Sequence, residues 1–158
     1  MQNVYIKKAR VDARGFTLME LLVVIGIIAI LASIVVVALN PSRQFAQARN
    51  TEREASVATI LNAIGQNVAD NKGIFTCDGV SITTSTSTIG SGSGNADVES
   101  CLVPTYVPAA IPIDPSGGTG ADTKYTVSQD TLGRFTVCSP EHGNEDSLPD
   151  VNAYCLTR

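Results

Sequence analysis

The sequence predicts an α+β chain: one long N-terminal helix, transmembrane in its first half, packed through its second half on a small antiparallel β-sheet and tied by two disulfides. Three observations carry this reading. Leu21 to Leu39 holds 19 residues without a charge. An amphipathic helical pattern resumes after that run, and the last third of the chain contains three short segments in which apolar residues alternate. The 24 residues Phe16 to Leu39 reach ~36 Å as a helix, enough to cross a hydrocarbon core of ~30 Å. With 158 residues in all, one modest core remains to be built beyond this anchor.

Residues 1–15 read as a leader. They carry Lys7, Lys8, Arg10 and Arg14 against Asp12 and have no apolar block of their own. Residues 73–158 reverse the balance, with ten acids against Lys124, Arg134 and Arg158, inside a chain of net charge -4. The positive-inside bias therefore keeps the N-terminus cytoplasmic and sends the acidic remainder across the membrane. An acidic head also argues against intrinsic nucleic-acid binding, which needs clustered Lys and Arg. Ala46-Gln47-Ala48 formally fits a secretory cleavage site, but the preceding run is too long for a signal peptide, and no cysteine before Cys77 allows a lipoprotein route. A cut that removes the leader falls at Gly15. Within the run, Glu20 is the one charge, and a carboxylate at membrane depth needs a partner.

Residues 41–72 continue as an amphipathic helix. Phe45, Ala48, Ala55, Ala58, Leu61, Ile64 and Val68 make the apolar face, Arg49, Arg53, Asn62, Gln66 and Asp70 the polar one, and Gly73 a stop after Lys72. Pro41 predicts a kink at the junction; a helix running through it from Phe16 to Lys72 would have 57 residues and ~85 Å. Residues 73–158 form the head. TTSTSTIGSGSG at 83–94 reads as a flexible solvated loop. LVPTYVPAAIPIDP at 102–115, with four prolines, reads as an extended strap that cannot be helical. KYTVSQ and RFTVCS read as a hairpin around DTLG, and AYCLTR as a third strand, with Tyr125, Val127, Phe135, Val137, Tyr154 and Leu156 on the inner face.

The four cysteines, Cys77, Cys101, Cys138 and Cys155, all fall in the segment placed outside the cytoplasm, where an even number favours two disulfides. Three connectivities are open, and pairing sequence neighbours, Cys77 with Cys101 and Cys138 with Cys155, is the easiest to close. No C-x-x-C spacing supports zinc. His142 is the only histidine and has no nucleophile beside it, so it reads as a solvated residue of an acidic loop; no glycine set fits a phosphate loop or nucleophile elbow. The chain is not expected to be an enzyme, and no catalytic residues are assigned.

Gly15-Phe16-Thr17-Leu18-Met19-Glu20, with the basic leader before it and the apolar run after it, resembles the prepilin signature of type IV pilins and type II secretion pseudopilins. The resemblance implies a ladle-shaped fold. It implies that a prepilin peptidase cuts between Gly15 and Phe16 and that Phe16 becomes N-methylated. Glu20 then corresponds to the acid that pairs with the terminal amine of a neighbouring subunit during assembly. Physical chemistry agrees with that role, because the cut creates an amine at the depth of the buried acid. The chain departs from the family at Met19, where Ile is usual, and at Val37, where many pilins carry a proline that here stands at Pro41. The strap from Tyr106 to Gly117 resembles the segment before the sheet of major pseudopilins, and the terminal cysteine pair the disulfide-bounded region of many pilins.

The resemblance thus implies a pilin, the structural subunit of a type IV pilus-like filament, held in the cytoplasmic membrane before assembly and exposed on the cell surface after it. Its partners would be identical or related subunits in a helical homopolymer, the prepilin peptidase and a membrane assembly platform. A major pseudopilin of type II secretion is the alternative within the family; a membrane-anchored binding module that never polymerises is the alternative outside it. No cofactor is expected. Calcium, held by some major pseudopilins near this end of the chain, makes Glu141, Glu145, Asp146 and Asp150, with Asn144 among them, candidate ligands, though their spacing does not fit an EF-hand.

Overall fold

The computed structural model describes residues 15–149 and 151–158, so the leader before Gly15 lies outside the described residues. The chain divides into two units, one ending at Asn40 and one starting at Pro41. The described part of the first is α1, Leu18–Leu39, a helix of 22 residues with none buried. It is long and apolar enough to cross a membrane.

Helix α1 ends where Asn40 turns left-handed, at φ 41° and ψ 78°. A residue before proline is pushed out of the α region, and Asn tolerates the left-handed one at least cost. Pro41 then opens α2, Pro41–Asp70, at the first helical position, where its missing N–H costs nothing. The kink expected at Pro41 is therefore a break of one residue, Asn40, between two helices. At its far end α2 closes with Gly73 N–H donating to Val68 O at 2.8 Å, while Lys72 takes φ 60°. That six-to-one bond with a left-handed residue before it is a Schellman stop.

The buried face of α2 differs from the expected one. Ala46, Asn50, Arg53, Val57, Ile60, Ile64 and Asn67 recur at steps of four and three on the inner side. Phe45, at 66% exposure, lies outside with Ala48 and Ala55, whereas Leu61 and Ile64 are buried as expected. Arg53, expected on the polar face, is 1% exposed. Hydrophobicity alone set the phase of the helix wrongly, because Asn50, Arg53 and Asn67 on its inner stripe find hydrogen-bond partners elsewhere in the fold, and a satisfied polar group can be buried.

Against this stripe lies an antiparallel sheet of four strands in the order β1-β2-β3-β4: Ser87–Thr88, Thr126–Gln129, Phe135–Ser139 and Tyr154–Thr157. Tyr125, Val127, Phe135 and Val137 point into the core with Val57, Ile60 and Ile64, and Tyr154 and Leu156 cover its margin. Strand β1 falls in the stretch expected to be a solvated loop. Ile89 accounts for the difference: it is 1% exposed, and Gly90 packs so tightly that a Cβ there would sit 2.4 Å from the Ala121 carbonyl. A short helix, α3, Glu99–Leu102, takes the first residue of the expected strap. The rest of the strap sends Val107 and Ile111 into the core.

Cys77 is bonded to Cys101 and Cys138 to Cys155. The second bridge has a reason in the register. Phe135 and Arg158 exchange both backbone bonds, at 2.8 and 2.9 Å, so by alternation Cys138 and Cys155 form a non-hydrogen-bonded pair, the closer kind. Their Cα atoms lie 4.1 Å apart.

The rotated face of α2 is testable by truncation. Ile60→Ala should cost about 2–5 kcal/mol of head stability, and Phe45→Ala about 0.5 kcal/mol or less, in denaturant unfolding of the full chain in detergent. Equal losses from the two would contradict the assigned face.

Candidate processing and assembly site

The residues of the signature lie at the threshold of α1. Thr17 is the N-cap: its Oγ1 accepts from the Glu20 backbone N–H at 3.2 Å, and Glu20 Oε2 accepts from the Thr17 backbone N–H at 3.4 Å. This reciprocal pair is a capping box, which satisfies two of the helix's orphan donors. Sequence reading assigned Glu20 and missed Thr17, although Thr-x-x-Glu before an apolar run is the signal for it. The Gly15–Phe16 bond stands outside the helix, Phe16 is 86% exposed, and nothing approaches within 4 Å of a Cβ built on Gly15. The carboxylate of Glu20 pairs with no cation among the described residues.

The head has its own polar centre. The Arg53 guanidinium donates from Nε and Nη2 to the two carboxylate oxygens of Asp114 at 2.6 and 3.1 Å, and from Nη1 to Glu145 Oε1 at 2.5 Å. Asn50 Oδ1 at 2.8 Å and Ser116 Oγ at 2.8 Å complete its set. Arg49 reaches the same Glu145 from one turn away, with Nε at 2.8 Å from Oε1 and Nη2 on Oε2. Hydrogen bonds from Arg49, and then from Arg53, outweigh burial and hold the Glu145 carboxyl down at about 2. For Arg53, burial opposes the charge, but bonds from Asp114 and Glu145 outweigh it and raise the guanidinium above its ordinary value. This centre joins three segments: α2, the strap through Asp114 and Ser116, and the loop closed by the Cys138–Cys155 bridge.

Of the calcium candidates, Glu145 is engaged by Arg49 and Arg53. Glu141 accepts from Asn144 Nδ2 at 3.2 Å, Asp146 is exposed, and Asp150 lies outside the described residues. Among the described residues no three His, Cys, Asp or Glu side chains gather as a metal site. His142 is buried rather than solvated, which corrects the expectation from its acidic neighbours. Its Nδ1 lies 2.9 Å from Asn152 O, its Nε2 3.2 Å from Glu54 Oε1, and its ring packs on Tyr154 at 5.5 Å. Asn50 Nδ2 donates to the His142 carbonyl at 3.1 Å, drawing the same loop onto α2.

Comparison with protein families matches residues 10–36 to the prokaryotic N-terminal methylation motif. The chain therefore carries the prepilin signature of type IV pilins and pseudopilins, and Gly15, Phe16, Thr17 and Glu20 all fall within it. Neither the curated proteins nor the solved structures give a match.

The charge centre has a pH signature. Glu145 is held below its ordinary value of 4.5, so the stability it contributes is complete above that pH and is lost as pH falls from about 4.5 through about 2. Glu145→Gln should flatten this acid limb in pH-dependent thermal unfolding. Arg53→Ala, which strands Asp114 in the interior and leaves Glu145 to Arg49 alone, should cost about 3–5 kcal/mol, and Arg49→Ala far less. Equal losses for the two arginines would refute the centre as described.

Proposed function

We propose that the chain is a structural subunit of a type IV pilus-like filament, made as a membrane-anchored precursor, cut between Gly15 and Phe16 by a prepilin peptidase, methylated on Phe16 and polymerised. One observation carries the reading: the methylation motif ends in a helix, α1, whose large aliphatic side chains are all exposed. Each such side chain is worth ~1.5–3 kcal/mol when moved out of water, so α1 is stable only in a bilayer or against other helices. Cleavage before Phe16 leaves the capping box intact, because the Thr17 N–H remains an amide. It also puts a new amine one residue from the N-cap, near the depth of Glu20. In a filament the carboxylate and an amine from a neighbouring copy neutralise each other inside an apolar core, where either alone would be costly. The head, held together by its own core, two disulfides and the Arg53 centre, faces solvent and has no part in chemistry.

Mass spectrometry of the native protein should find residues 1–15 absent and one methyl group on Phe16; an intact leader contradicts the reading. Two substitutions then separate the charge of Glu20 from its capping. Glu20→Gln keeps an N3 side chain able to close the capping box but carries no charge, whereas Glu20→Ala removes both. Both should abolish recoverable polymer. Normal assembly of Glu20→Gln would reduce Glu20 to a helix cap. Polymer confined to the periplasm would identify a secretion pseudopilin, and a cleaved chain that never polymerises an anchored module.

A further inference from the structure

The turn between β2 and β3 exposes an apolar side chain where turns favour polar ones. Leu132 is 78% exposed at the tip. The tip is rigid: Asp130 Oδ1 accepts from the backbone N–H groups of Leu132 and Arg134, both at 2.9 Å, and its Oδ2 accepts from Arg134 Nε at 2.7 Å. Gly133 supplies the φ of 85° that closes the turn. Leu132 thus projects beside Arg134, itself 59% exposed in its side chain, on a frame set before any partner arrives.

At the other end of β2 the head has a concavity of about 400 Å³, whose floor includes Ile89 and Ile111, with Ile113 and Thr123 at its side. Glu52 and Glu99 stand on its rim, and neither carboxylate has a hydrogen-bond or ion-pair partner among the described residues. The tip carries an apolar side chain beside a cation, and the hollow an apolar lining beside two anions. They cannot meet within one head. Thr123 precedes β2 and Asp130 follows it, so the hollow and the tip lie beyond opposite ends of the strand.

We propose that the hollow receives the Leu132 tip of a second copy of this chain, with Arg134 between Glu52 and Glu99, as the contact between neighbouring heads in the polymer. The inference rests on the polymerisation reading above and names the surfaces it uses outside α1. A knob on one surface and a hollow on another make a heterologous contact, which propagates where a self-complementary one would close into a dimer. The apolar insertion supplies the central anchor, and the charges at the rim fix its register.

Charge exchange tests it in the full chain, with polymer sheared from the cells and weighed against total subunit. Leu132→Asn and Glu99→Arg should each lower recovered polymer roughly tenfold, the effect of losing one interface anchor, and Arg134→Glu likewise. Combining Arg134→Glu with Glu99→Arg should restore most of it. Unchanged melting of the head in Leu132→Asn, which alters only an exposed side chain, separates an interface defect from misfolding. Wild-type yields in all single variants, or no rescue in the double variant, would overturn the contact while leaving the filament reading in place. Absence of polymer from the wild-type chain would overturn both.

Discussion

A charge buried in a small head constrains everything around it. Arg53 stands on the inner stripe of α2 at 1% exposure, and a guanidinium there is tolerable only with its donors engaged. The strap must bring Asp114 and Ser116 to it, and the loop between β3 and β4 must bring Glu145. These two segments have little regular structure of their own. What places them is the need to satisfy one cation, assisted by Asn50 on the His142 carbonyl and by the disulfide that limits where the loop can go. A core of aliphatic contacts accepts many arrangements of its surrounding loops; a forked donor with fixed geometry accepts few.

The same group explains where sequence reading succeeded and where it stopped. The apolar run, the hairpin, the third strand and the nearest-neighbour cysteine pairs are local patterns, and the residues that encode them are the residues that form them. Arg53 and His142 were placed on the wrong side of the surface because their burial depends on partners 61 to 92 residues away in the case of Arg53 and 88 in the case of His142, and the exposed Phe45 was misplaced with the same helix phase as Arg53. No local pattern contains that information. Strand β1 was hidden differently: Ile89 is one apolar residue in a run of Ser, Thr and Gly, too little to register as periodicity yet enough to anchor a strand pair. At the processing site the signature was legible in full, apart from Thr17, whose capping role needed only the spacing Thr-x-x-Glu to be noticed.

The two units answer different physical demands. The head packs on itself: its apolar core, its sheet and its buried charges Arg53, Asp114 and Glu145 find their partners within it. Helix α1 satisfies only its backbone. Its side chains are unmatched in an isolated chain, and its single carboxylate is engaged only with the N-cap that precedes it. Asn40 thus separates a unit that packs on itself from a helix whose side chains are left exposed.

The disulfides bear on what the head does when its chain is pulled. The bridges close stretches separated by 24 and 17 residues. At ~3.3–3.6 Å per extended residue, they withhold about 80 Å and about 60 Å of contour from a chain under tension. Between β3 and β4 the bridge also lies across the ladder, so unzipping of the last strand from its free end stops at Cys155 while the bond is intact. While both bonds are intact, those two loops stay closed however far the rest of the head is drawn out.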